Sequence, residues 1–580
     1  MKKIQGIYIV NYLSATSCLN VQLLRKCLIV VFLVLSMSHS AFAAHQIFYV
    51  NSIADRVDIN PGDGICQSLI LIKKSCTLRA AIMESAASGH AIIQLQAKTY
   101  VLTIPGKGEN LGATGDLDIT GELIIRGKGI NKTIIEAKGI DRVFHIFNPE
   151  SGPKFKVTIS NLTITGGTPF PDQDGGGIWN SQILKLIKVK VVKNQTDIGG
   201  QGGGAGIWSD FDAKLTLRRV NISNNTAFSG GGGGVRNHFG FLHISGKSVI
   251  YNNKSTLGGG ILIDGGDSKT IIKNTKIVNN ESTVDFFGGS GGGGISHFGG
   301  KLSLSYTILR GNKSFSEGGA ISILGSDVTS LYANHVIINK NQSRLNGGGI
   351  YISDSFAPKI DVQILNSTIS NNLAKAGGGI YQDTFKGALS PLVIKNSTIS
   401  GNIVEETGAG LYTFGDVNLV DTTIAENRSS SSGNVYNGMG VYFATTTSAN
   451  VSINRSLISG SNATLTGTSP DCVIDPGVVF TSLDYNLMER IGPACNFIAK
   501  PNDQLGTFFS PIDPLLGLLQ NNGGFGLTHA LQPGSPTIDK AGPGPCGILN
   551  KDQRGTARPT DGDGNGASEC DIGAFETAGI

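Results

Sequence analysis

Residues 377–380 read Gly-Gly-Gly-Ile, and this phrase decides the fold because near copies of it recur along the middle of the chain. We call it the glycine phrase. Its last, aliphatic residue falls at ten positions: Ile178, Ile207, Val235, Ile261, Ile295, Ile321, Ile350, Ile380, Leu411 and Val441. Successive copies lie 26 to 34 residues apart. A period of this length is typical of repeat architectures.

Asparagine forms a second recurring mark, three places after an aliphatic residue. It occurs in nine successive units, at Asn194, Asn225, Asn253, Asn280, Asn312, Asn341, Asn372, Asn402 and Asn427. The two marks keep their relative phase over all of these units, which indicates that the units are equivalent in structure.

Short alternating runs, such as residues 215–222 and 362–369, lie between the marks and predict strands with one buried face. A unit built from such strands cannot bury its apolar face alone, so the units must stack. We therefore predict an all-β fold, a right-handed parallel β-helix with equivalent residues about 4.8 Å apart. Leucine-rich and WD-type repeats are the alternatives, but their signatures are missing.

Stacking explains both marks. An asparagine can hydrogen-bond to the asparagines above and below it, and it tolerates the left-handed backbone of a corner. Glycine fits corners where a side chain would collide. Many of these asparagines also stand in Asn-x-Ser/Thr, as in residues 194–196, so glycosylation is the competing interpretation.

The composition agrees with a repeat and narrows the partners. The chain has 81 glycines in 580 residues, about twice the average usage of roughly 7%. Charged residues make up only 16%, the net charge is +4, and the lysines and arginines are scattered. This pattern argues against a nucleic-acid-binding protein and leaves a polyanion open as a partner.

The N-terminus has the organisation of a signal peptide. Arg25 and Lys26 precede the apolar run 27–37, and Ala-Phe-Ala follows at 41–43. A membrane anchor is the alternative, but the run falls short of the ~20 residues that span a bilayer. We expect residues 1–43 to be cleaved and the protein to be extracellular, at the cell surface or periplasmic, with no transmembrane segment left.

Six cysteines remain after cleavage, in three locally spaced pairs that flank the repeats. The preferred disulfides are Cys66 with Cys76, Cys472 with Cys495 and Cys546 with Cys570. An exported chain favours disulfides, although six cysteines allow fifteen pairings. A zinc site is the weaker alternative because there is no Cys-x-x-Cys.

The two ends of the stack need covers, since exposed strand edges invite aggregation. Residues 76–87 form an amphipathic pattern that predicts a helical N-terminal cap within residues 44–104. The repeats then occupy residues 105–465, and a disulfide-containing C-terminal cap region occupies residues 466–580.

Both ends resemble parts of known bacterial surface proteins. Residues 58–66, Asp-Ile-Asn-Pro-Gly-Asp-Gly-Ile-Cys, and 76–82, Cys-Thr-Leu-Arg-Ala-Ala-Ile, resemble the CSLREA-type N-terminal region. Thr77 and Ala80 depart from the family's Cys-Ser-Leu-Arg-Glu-Ala-Ile.

The C-terminal region is similar to the choice-of-anchor Q region of the same proteins. The matching segments are residues 513–517, 522–524, 528–531, 533–536, 538–539, 552–555, 558–559 and 570–576. The resemblance implies a pectin-lyase-like β-helix and a surface or secreted location, but it implies no activity. Family members often carry an anchoring tail after this region, whereas this chain ends at Ile580.

One outward position of the repeats is rich in aromatic residues. The residue after the aliphatic one is aromatic in six of the ten units, at Trp179, Trp208, Tyr351, Tyr381, Tyr412 and Tyr442. Such a stripe can stack on sugar rings, or its rings can stack on one another and stiffen the helix. His238 and His297 follow the aliphatic residue in two other units, and we expect them to be separate surface residues.

A polar loop near the C-terminus resembles the start of a calcium-binding loop. Its candidate ligands are Asp561, Asp563, Asn565, Glu569 and Asp571, but position 12 is Ile instead of Glu. A structural calcium ion is one interpretation, and a polar turn held by a disulfide is the other. No other cofactor is indicated.

The sequence names no reaction. Its repeats lack the paired acids of glycoside hydrolases and any acidic calcium cluster of a lyase. We therefore expect an adhesin-like, non-enzymatic protein that contacts a polysaccharide or a host-surface glycoprotein along its coil face. The alternative is a polysaccharide lyase or glycoside hydrolase, and a third interpretation is a rigid spacer. Acids and Lys, Arg or His clustered in one groove would favour the enzyme.

Overall fold

Residues 341–371 illustrate how the sequence makes one coil. The coil runs through the short strand Gln342–Ser343, a glycine corner, and the strand Ile350–Ser353. It then passes through Lys359–Leu365 and Thr368–Ser370 before the next ladder asparagine. In Lys359–Leu365 every second side chain is buried, as the alternating sequence predicts, whereas all side chains of Ile350–Ser353 and Thr368–Ser370 are buried.

The computed structural model describes residues 46–579, apart from residues 71–72, 107, 151, 172, 197–201, 284–290, 326–327, 355–358, 384–390, 431–439, 445–448, 461, 464–468, 545 and 549. The predicted signal peptide, residues 1–43, lies outside the described residues.

Equivalent strands of successive coils pair in parallel and form three long sheets, which confirms the predicted parallel β-solenoid. Sheet 1 has 26 strands: Gln46–Tyr49, His90–Gln94, Thr99–Val101, Glu122–Arg126, Ile134–Glu136, Lys156–Thr165, Ile183–Val192, Lys214–Arg218, Asn221–Ser223, Phe241–Ser245, Ser248–Tyr251, Lys269–Lys273, Thr275–Val278, Gly300–Arg310, Val328–Asn339, Lys359–Leu365, Thr368–Ser370, Leu392–Lys395, Thr398–Ser400, Val417–Val420, Thr423–Ala425, Ala449–Asn454, Leu457–Ser459, Val478–Ser482, Leu487–Ile491 and Gln504–Thr507.

Sheet 2 contains the strands that begin at the aliphatic residue of the glycine phrase or at its equivalent. Its 13 strands are Leu117–Ile119, Phe144–Ile146, Ile178–Asn180, Ile207–Ser209, Val235–His238, Ile261–Asp264, Ile295–His297, Ile321–Leu324, Ile350–Ser353, Ile380–Asp383, Leu411–Thr413, Val441–Phe443 and Cys472–Ile474.

Sheet 3 contains the two-residue strands that follow the nine ladder asparagines and one further strand, Asn462–Ala463. Its 10 strands are Gln195–Thr196, Thr226–Ala227, Lys254–Ser255, Glu281–Ser282, Lys313–Ser314, Gln342–Ser343, Leu373–Ala374, Ile403–Val404, Arg428–Ser429 and Asn462–Ala463. A separate antiparallel hairpin joins Ser68–Ile70 to Lys73–Ser75.

The nine ladder asparagines are buried and bonded to one another. Asn312 is typical: its Nδ2 donates to the Ile277 carbonyl (2.9 Å) and to Asn341 Oδ1 (3.0 Å). Its own Oδ1 accepts from the backbone N and the Nδ2 of Asn280. Because these side chains face the interior, they are not accessible to glycosylation in the folded chain.

The expectation that the ladder asparagine itself adopts the left-handed conformation is wrong. The positive φ falls on the preceding residue, as at Asn371 (φ 54°) before Asn372 and at Lys340 (φ 56°) before Asn341. The chain therefore turns one residue earlier, and the turn directs the next side chain inward onto the ladder.

The glycines of the phrase are required by close backbone contacts. A Cβ on Gly379 would lie 2.4 Å from the Gly410 carbonyl of the next coil. Gly377 has φ +60°, which side chains other than glycine rarely adopt. Coils therefore stack at backbone contact distance where the corner has no side chain or only the methyl group of an alanine, as at Ala205, Ala320 and Ala409.

The predicted helix begins at Leu78 and ends at Ser88. Thr77 caps it, since its side-chain oxygen accepts from the Ala80 backbone N (3.2 Å). The helix buries Leu78, Ala81 and Ile82 and contacts the strands Leu117–Ile119 and His90–Gln94. Its apolar face thus joins the core of the first coils.

The C-terminal region differs from the expected cap because its later part lies along the side of the stack. Thr368 Oγ1 donates to the Leu527 carbonyl (2.8 Å), and Thr398 Oγ1 donates to Gln553 Oε1 (2.6 Å). Thr423 Oγ1 accepts from the Ala574 backbone N (3.0 Å). Hydroxyls on the outer face of sheet 1 therefore hold this region against the coils.

Three disulfides join Cys66 to Cys76, Cys472 to Cys495 and Cys546 to Cys570. They connect nearest neighbours; Cys472 begins the last strand of sheet 2, whereas the other five cysteines lie outside the strands given above. Among the described residues, no helix is long and apolar enough to cross a membrane.

Candidate functional site

The outer face of sheet 2 carries one continuous column of side chains, each placed directly after the first residue of its strand. Strand pairing aligns them in the order Asp118, His145, Trp179, Trp208, Arg236, Leu262, Ser296, Ser322, Tyr351, Tyr381, Tyr412, Tyr442 and Val473. We call this the sheet 2 column. It contains the predicted aromatic stripe and extends it at its N-terminal end.

The four tyrosines of the column stack on one another. Ring centroids lie 5.7 Å apart for Tyr351 and Tyr381, 4.8 Å for Tyr381 and Tyr412, and 4.9 Å for Tyr412 and Tyr442. Burial raises the pKa of Tyr412 to about 12, so its hydroxyl stays neutral. The rings therefore stack on one another and still reach solvent, because Tyr381, Tyr412 and Tyr442 have intermediate exposure.

Two aromatic residues of the stripe are less exposed than predicted. Tyr351 is 5% exposed and Trp208 is 7% exposed. The Arg236 guanidinium lies 4.2 Å from the centre of the Trp208 ring and covers it. The stripe therefore divides into a tyrosine segment and a tryptophan segment.

Arg236 and His238 converge on one carboxylate. Asp264 Oδ2 accepts from Arg236 Nη2 (2.7 Å) and lies 3.1 Å from His238 Nδ1. The hydrogen bond to Asp264 is the main cause that raises the pKa of His238. Arg236, His238 and Asp264 therefore lie beside the tryptophan segment, on its C-terminal side along the column.

The expectation that His297 is a surface residue is wrong. It stands two places after Ile295, so strand alternation turns it inward, and its side chain is fully buried. Burial lowers its pKa to about 4. His238 stands three places after Val235 and faces outward, as predicted.

A pocket of about 340 Å³ lies at the N-terminal end of the sheet 2 column. His145 and Trp179 from the column line it, together with Arg142, Gln173 and Asp174 from the preceding corners. Glu109, Asn110 and Asp116 complete its polar wall. This pocket brings acids, a guanidinium, an imidazole and an indole together in one place.

Asp118 orients the imidazole of this pocket. Asp118 Oδ1 lies 3.0 Å from His145 Nδ1, and Asp118 Oδ2 accepts from the Gly112 backbone N (2.8 Å). Burial is the main cause that lowers the pKa of His145, so the ring is neutral at pH 7. With its Nδ1–H donated to Asp118, the neutral ring presents a lone pair at Nε2.

Arg142 holds the opposite side of the pocket. Its Nη1 lies 3.5 Å from Asp116 Oδ2, and its Nη2 donates to Gln173 Oε1 (2.6 Å). Asp174 accepts from the Gly203 backbone N (2.7 Å), and burial raises its pKa to about 6. Near neutral pH, Asp174 can therefore exchange a proton.

Ligand atoms of Asp116, Asp118 and His145 lie within 4.8 Å of one another and could hold a metal ion. Burial raises the pKa of Asp116 well above its usual range despite the nearby Arg142. The guanidinium already supplies positive charge to this carboxylate, and His145 already shares its Nδ1 with Asp118. The donor set fits acid–base chemistry as it stands.

Sequence reasoning missed Asp118 and His145 because no glycine phrase precedes their strands. The available signal was the pairing of an aliphatic or aromatic residue with a polar one in Leu117-Asp118 and Phe144-His145, one coil apart. Extending the column by two irregular coils would have found both residues.

The predicted calcium ligands are only partly brought together. Asp561 and Asp563 come close to Asp539, which the sequence pattern did not indicate. Asp571 is not part of this group, and its Oδ1 accepts from the backbone N of Asp539 (2.8 Å). Asp561 also accepts from amides of its own loop, including that of Gly566 (2.9 Å). Calcium at this loop stays a prediction.

Glu569 and Asn565 make contacts within the loop. Glu569 pairs through its backbone with Thr560, and Asn565 Nδ2 donates to Asp563 Oδ2 (2.9 Å). The loop thus has the internal hydrogen bonds of a polar turn.

No family model and no curated protein matches the chain. Among solved structures, the chain is similar to the A-module of the mannuronan C-5 epimerase AlgE6 of Azotobacter vinelandii, with 14% identity and a TM-score of 0.25 over 70% of this chain and 94% of that chain. It is also similar to pectate lyase Pel9A, with 12% identity and a TM-score of 0.28 over 92% of this chain and 98% of that chain. These values are too low to carry a functional argument, which therefore rests on the site itself.

Proposed function

We propose that the protein binds a uronate-containing polysaccharide along the outer face of sheet 2 and acts on it as a polysaccharide lyase in the N-terminal pocket. The observation that carries this proposal is the Asp118–His145 pair, 3.0 Å apart, in a pocket that also contains Arg142, Asp174 and Trp179. This is the clustering of acids with Arg and His in one groove that favours an enzyme over a bare binding face.

The pocket contains the groups that a β-elimination requires. His145, neutral and oriented by Asp118, is the base that removes the proton next to the uronate carboxyl group. Arg142 neutralises that carboxylate, which makes the proton more acidic. Asp174, when protonated, gives its proton to the leaving glycosidic oxygen. A C–H and a C–O bond break, a C=C bond forms, and no water is consumed.

The rest of the sheet 2 column suits the binding of a chain instead of a single sugar. Trp179 offers an aromatic face inside the pocket, and the tyrosines Tyr381, Tyr412 and Tyr442 continue along the same face. Aromatic faces stack on the apolar faces of sugar rings. Because the coils repeat about every 4.8 Å, the platforms follow the direction of an extended polymer.

A second candidate function is adhesin-like binding without turnover, as the sequence favours. The tyrosine segment supports it, because its rings stack on one another and form a stripe of partly exposed aromatic faces. The two candidates share the ligand class and differ only in whether the pocket reacts.

The handedness of the solenoid, the role of its N-terminal helix and the location of the protein are also proposals. We infer a right-handed helix, since parallel crossover connections are right-handed in about 98% of cases. We also infer that the helix Leu78–Ser88 covers the first coils. Three disulfides agree with an exported protein, and the CSLREA-type and choice-of-anchor Q resemblances support a surface or secreted location.

The decisive experiment incubates the full chain with polygalacturonate, alginate, chondroitin sulfate and neutral xylan. Ultraviolet absorbance detects unsaturated uronates, and a reducing-end assay detects any cleavage. We expect turnover of a uronate polymer and at least a hundredfold loss in H145Q and D174N, since a general acid or base contributes about 10²-fold or more.

His90→Gln is the matched control, because His90 is exposed and pairs with Glu122 away from the pocket. Full activity of H145Q, or equal losses in H145Q and H90Q, would refute the role of His145. Binding of a uronate polymer without new ends would leave the second candidate, and reducing ends without unsaturation would indicate hydrolysis instead of elimination.

A further inference from the structure

The outer face of sheet 1 gathers many cations that are scattered in the sequence. Between residues 156 and 310, the strands of this sheet that the structure describes contain no Asp or Glu. Thirteen outward lysines and arginines lie on these strands and on the corner between them: Lys156, Lys185, Lys188, Lys190, Lys214, Arg218, Arg219, Lys247, Lys269, Lys273, Lys276, Lys301 and Arg310. We call this surface the basic face.

The side chains of the basic face are exposed, apart from the half-buried Lys190. Strand alternation explains this arrangement, since Leu184 and Leu186 point into the core on either side of Lys185. Among the described residues, none of the thirteen forms an ion pair with a carboxylate.

Stacking places some of these like charges directly opposite each other. Lys269 pairs in register with Lys301 of the next coil, and such neighbours repel. In sheet 3, by contrast, Lys254 forms an ion pair with Glu281 of the next coil (3.3 Å). The fold can therefore neutralise its cations, and the basic face keeps its charge without internal compensation.

A pocket of about 430 Å³ lies at the edge of the basic face, between the coils and Phe525 of the C-terminal region. Tyr306 and Phe525 form its aromatic wall, with ring centroids 5.4 Å apart and nearly perpendicular. Lys247 and Lys276 line it with Asn274, and none of its lining residues in the described part of the chain is acidic. An apolar wall beside two ammonium groups suits a ring that carries a carboxylate or a sulfate.

We propose that the basic face binds a linear acidic polysaccharide, one of whose sugar rings enters the Tyr306–Phe525 pocket. An anionic polymer neutralises the repulsion between stacked lysines and releases its own counterions. Cations recur in successive coils, about 4.8 Å apart, so the face follows a polymer laid along the solenoid axis.

Two other polyanions fit the face less well. Duplex nucleic acid is read by a helix or ribbon that enters a groove, whereas this surface is the side of a sheet. An anionic membrane favours apolar side chains spread around the cations, whereas the rings here are confined to one pocket. The acidic polysaccharide is therefore the occupant that we infer.

This inference does not depend on the proposed function, because the basic face belongs to sheet 1 and the acid–base pocket to sheet 2. A variant of the basic face can lose binding while the sheet 2 pocket keeps its chemistry on short fragments.

The test measures binding of the full chain to immobilised alginate and chondroitin sulfate between 50 and about 300 mM salt. The variant K185Q/K188Q/K214Q/R218Q removes four charges from the basic face. The matched control K254Q/K313Q/K375Q/R428Q removes the same charge from the sheet 3 side. Circular dichroism and melting temperatures establish that both variants are folded.

We expect the basic-face variant to lose at least tenfold in affinity, and the slope of log K against log salt to fall by about 3. The control should lose less than threefold. Phe525→Ala should weaken binding without changing the salt slope, because it removes only the aromatic wall.

Four results would overturn the inference. The two charge variants could lose affinity equally, which would mean that only net charge matters. The wild-type chain could fail to bind either polysaccharide in 50 mM salt. It could bind duplex DNA more tightly than both polysaccharides, or it could prefer vesicles of anionic phospholipid.

Discussion

The asparagine ladder offers the most direct test of what holds the coils together, and Asn312 lies in its middle. The isosteric substitution Asn312→Asp keeps the shape of the side chain and replaces its donor group by an oxygen. Nδ2 now donates to the Ile277 carbonyl and to Asn341 Oδ1. In the aspartate variant, an acceptor would face two acceptors, and a charge would be buried.

The magnitude follows from these contacts. Asn312 takes part in four side-chain hydrogen bonds, two as donor and two as acceptor for Asn280. A buried polar group left unpaired costs about 1–3 kcal/mol. Asn312→Ala leaves the Asn280 donors and the Ile277 carbonyl without this partner, so we expect a loss of about 4 kcal/mol. Asn312→Asp should lose at least as much at pH 7, because the buried carboxylate is unpaired.

The sign of the pH dependence distinguishes the ladder from a simple packing defect. Burial raises the pKa of the introduced carboxyl group in the folded state above its unfolded value of about 3.9. Its protonated form again has a donor, so Asn312→Asp should recover stability as pH falls from 7 towards 4, whereas Asn312→Ala should not.

Urea unfolding followed by circular dichroism and tryptophan fluorescence measures these differences. Asn252→Asp is the control, since Asn252 is an exposed corner residue (φ 53°) whose conformation Asp tolerates. We expect it to change the free energy of unfolding by less than about 0.5 kcal/mol. If Asn312→Asp is no more destabilising than Asn252→Asp, the ladder does not stabilise the fold as argued.

Two further predictions concern buried charge. The His297 pKa, lowered to about 4 by burial, lies below its unfolded value of about 6.5, so the folded chain should lose stability as pH falls from 6.5 to 4. His297→Gln should remove about 3 kcal/mol of that pH dependence in urea titrations, and an unchanged slope would contradict the assignment. Arg558 is fully buried and bonds Glu576 through Nε (2.7 Å), so Arg558→Lys should loosen the C-terminal region by about 3 kcal/mol. Limited proteolysis should then cleave that region while the coils stay intact, and equal cleavage of wild-type and variant chains would contradict this.

The repeating part of the fold was predictable because its determinants are local. A glycine corner such as Gly377–Gly379 meets close backbone contacts that recur from coil to coil, and a buried asparagine such as Asn372 has the same kind of neighbours in each coil of the ladder. The departures are of two kinds, one inside the regular coils and one where their regularity ends. The residue before Asn372 takes the left-handed turn, and the region around Leu527 lies along the flank because of contacts with distant coils such as Thr368.

The acid–base pocket was hidden for a related reason. Asp118 and His145 belong to coils without a glycine phrase, so their alignment with Trp179 depends on strand pairing that no local pattern reveals. The error at Trp208 is of the opposite kind, because the sequence predicted an exposed ring and the ring is buried. Its outward position was predictable, but the cover that Arg236 provides depends on which residue the next coil places beside it.

The charge distribution shows that the surface charge of a solenoid depends on columns of stacked residues and not on continuous segments of the sequence. Lys185 and Lys214 are 29 residues apart, and no window of sequence makes them a cluster. Each coil returns the chain to the same face, so residues separated by one period become neighbours or near neighbours on the surface. The net charge of +4 was therefore a poor guide to partners, because it averages a basic side against faces whose charges are paired. In a stacked coil, electrostatic recognition is encoded in the phase of charged residues relative to the period, and the composition of the chain does not record that phase.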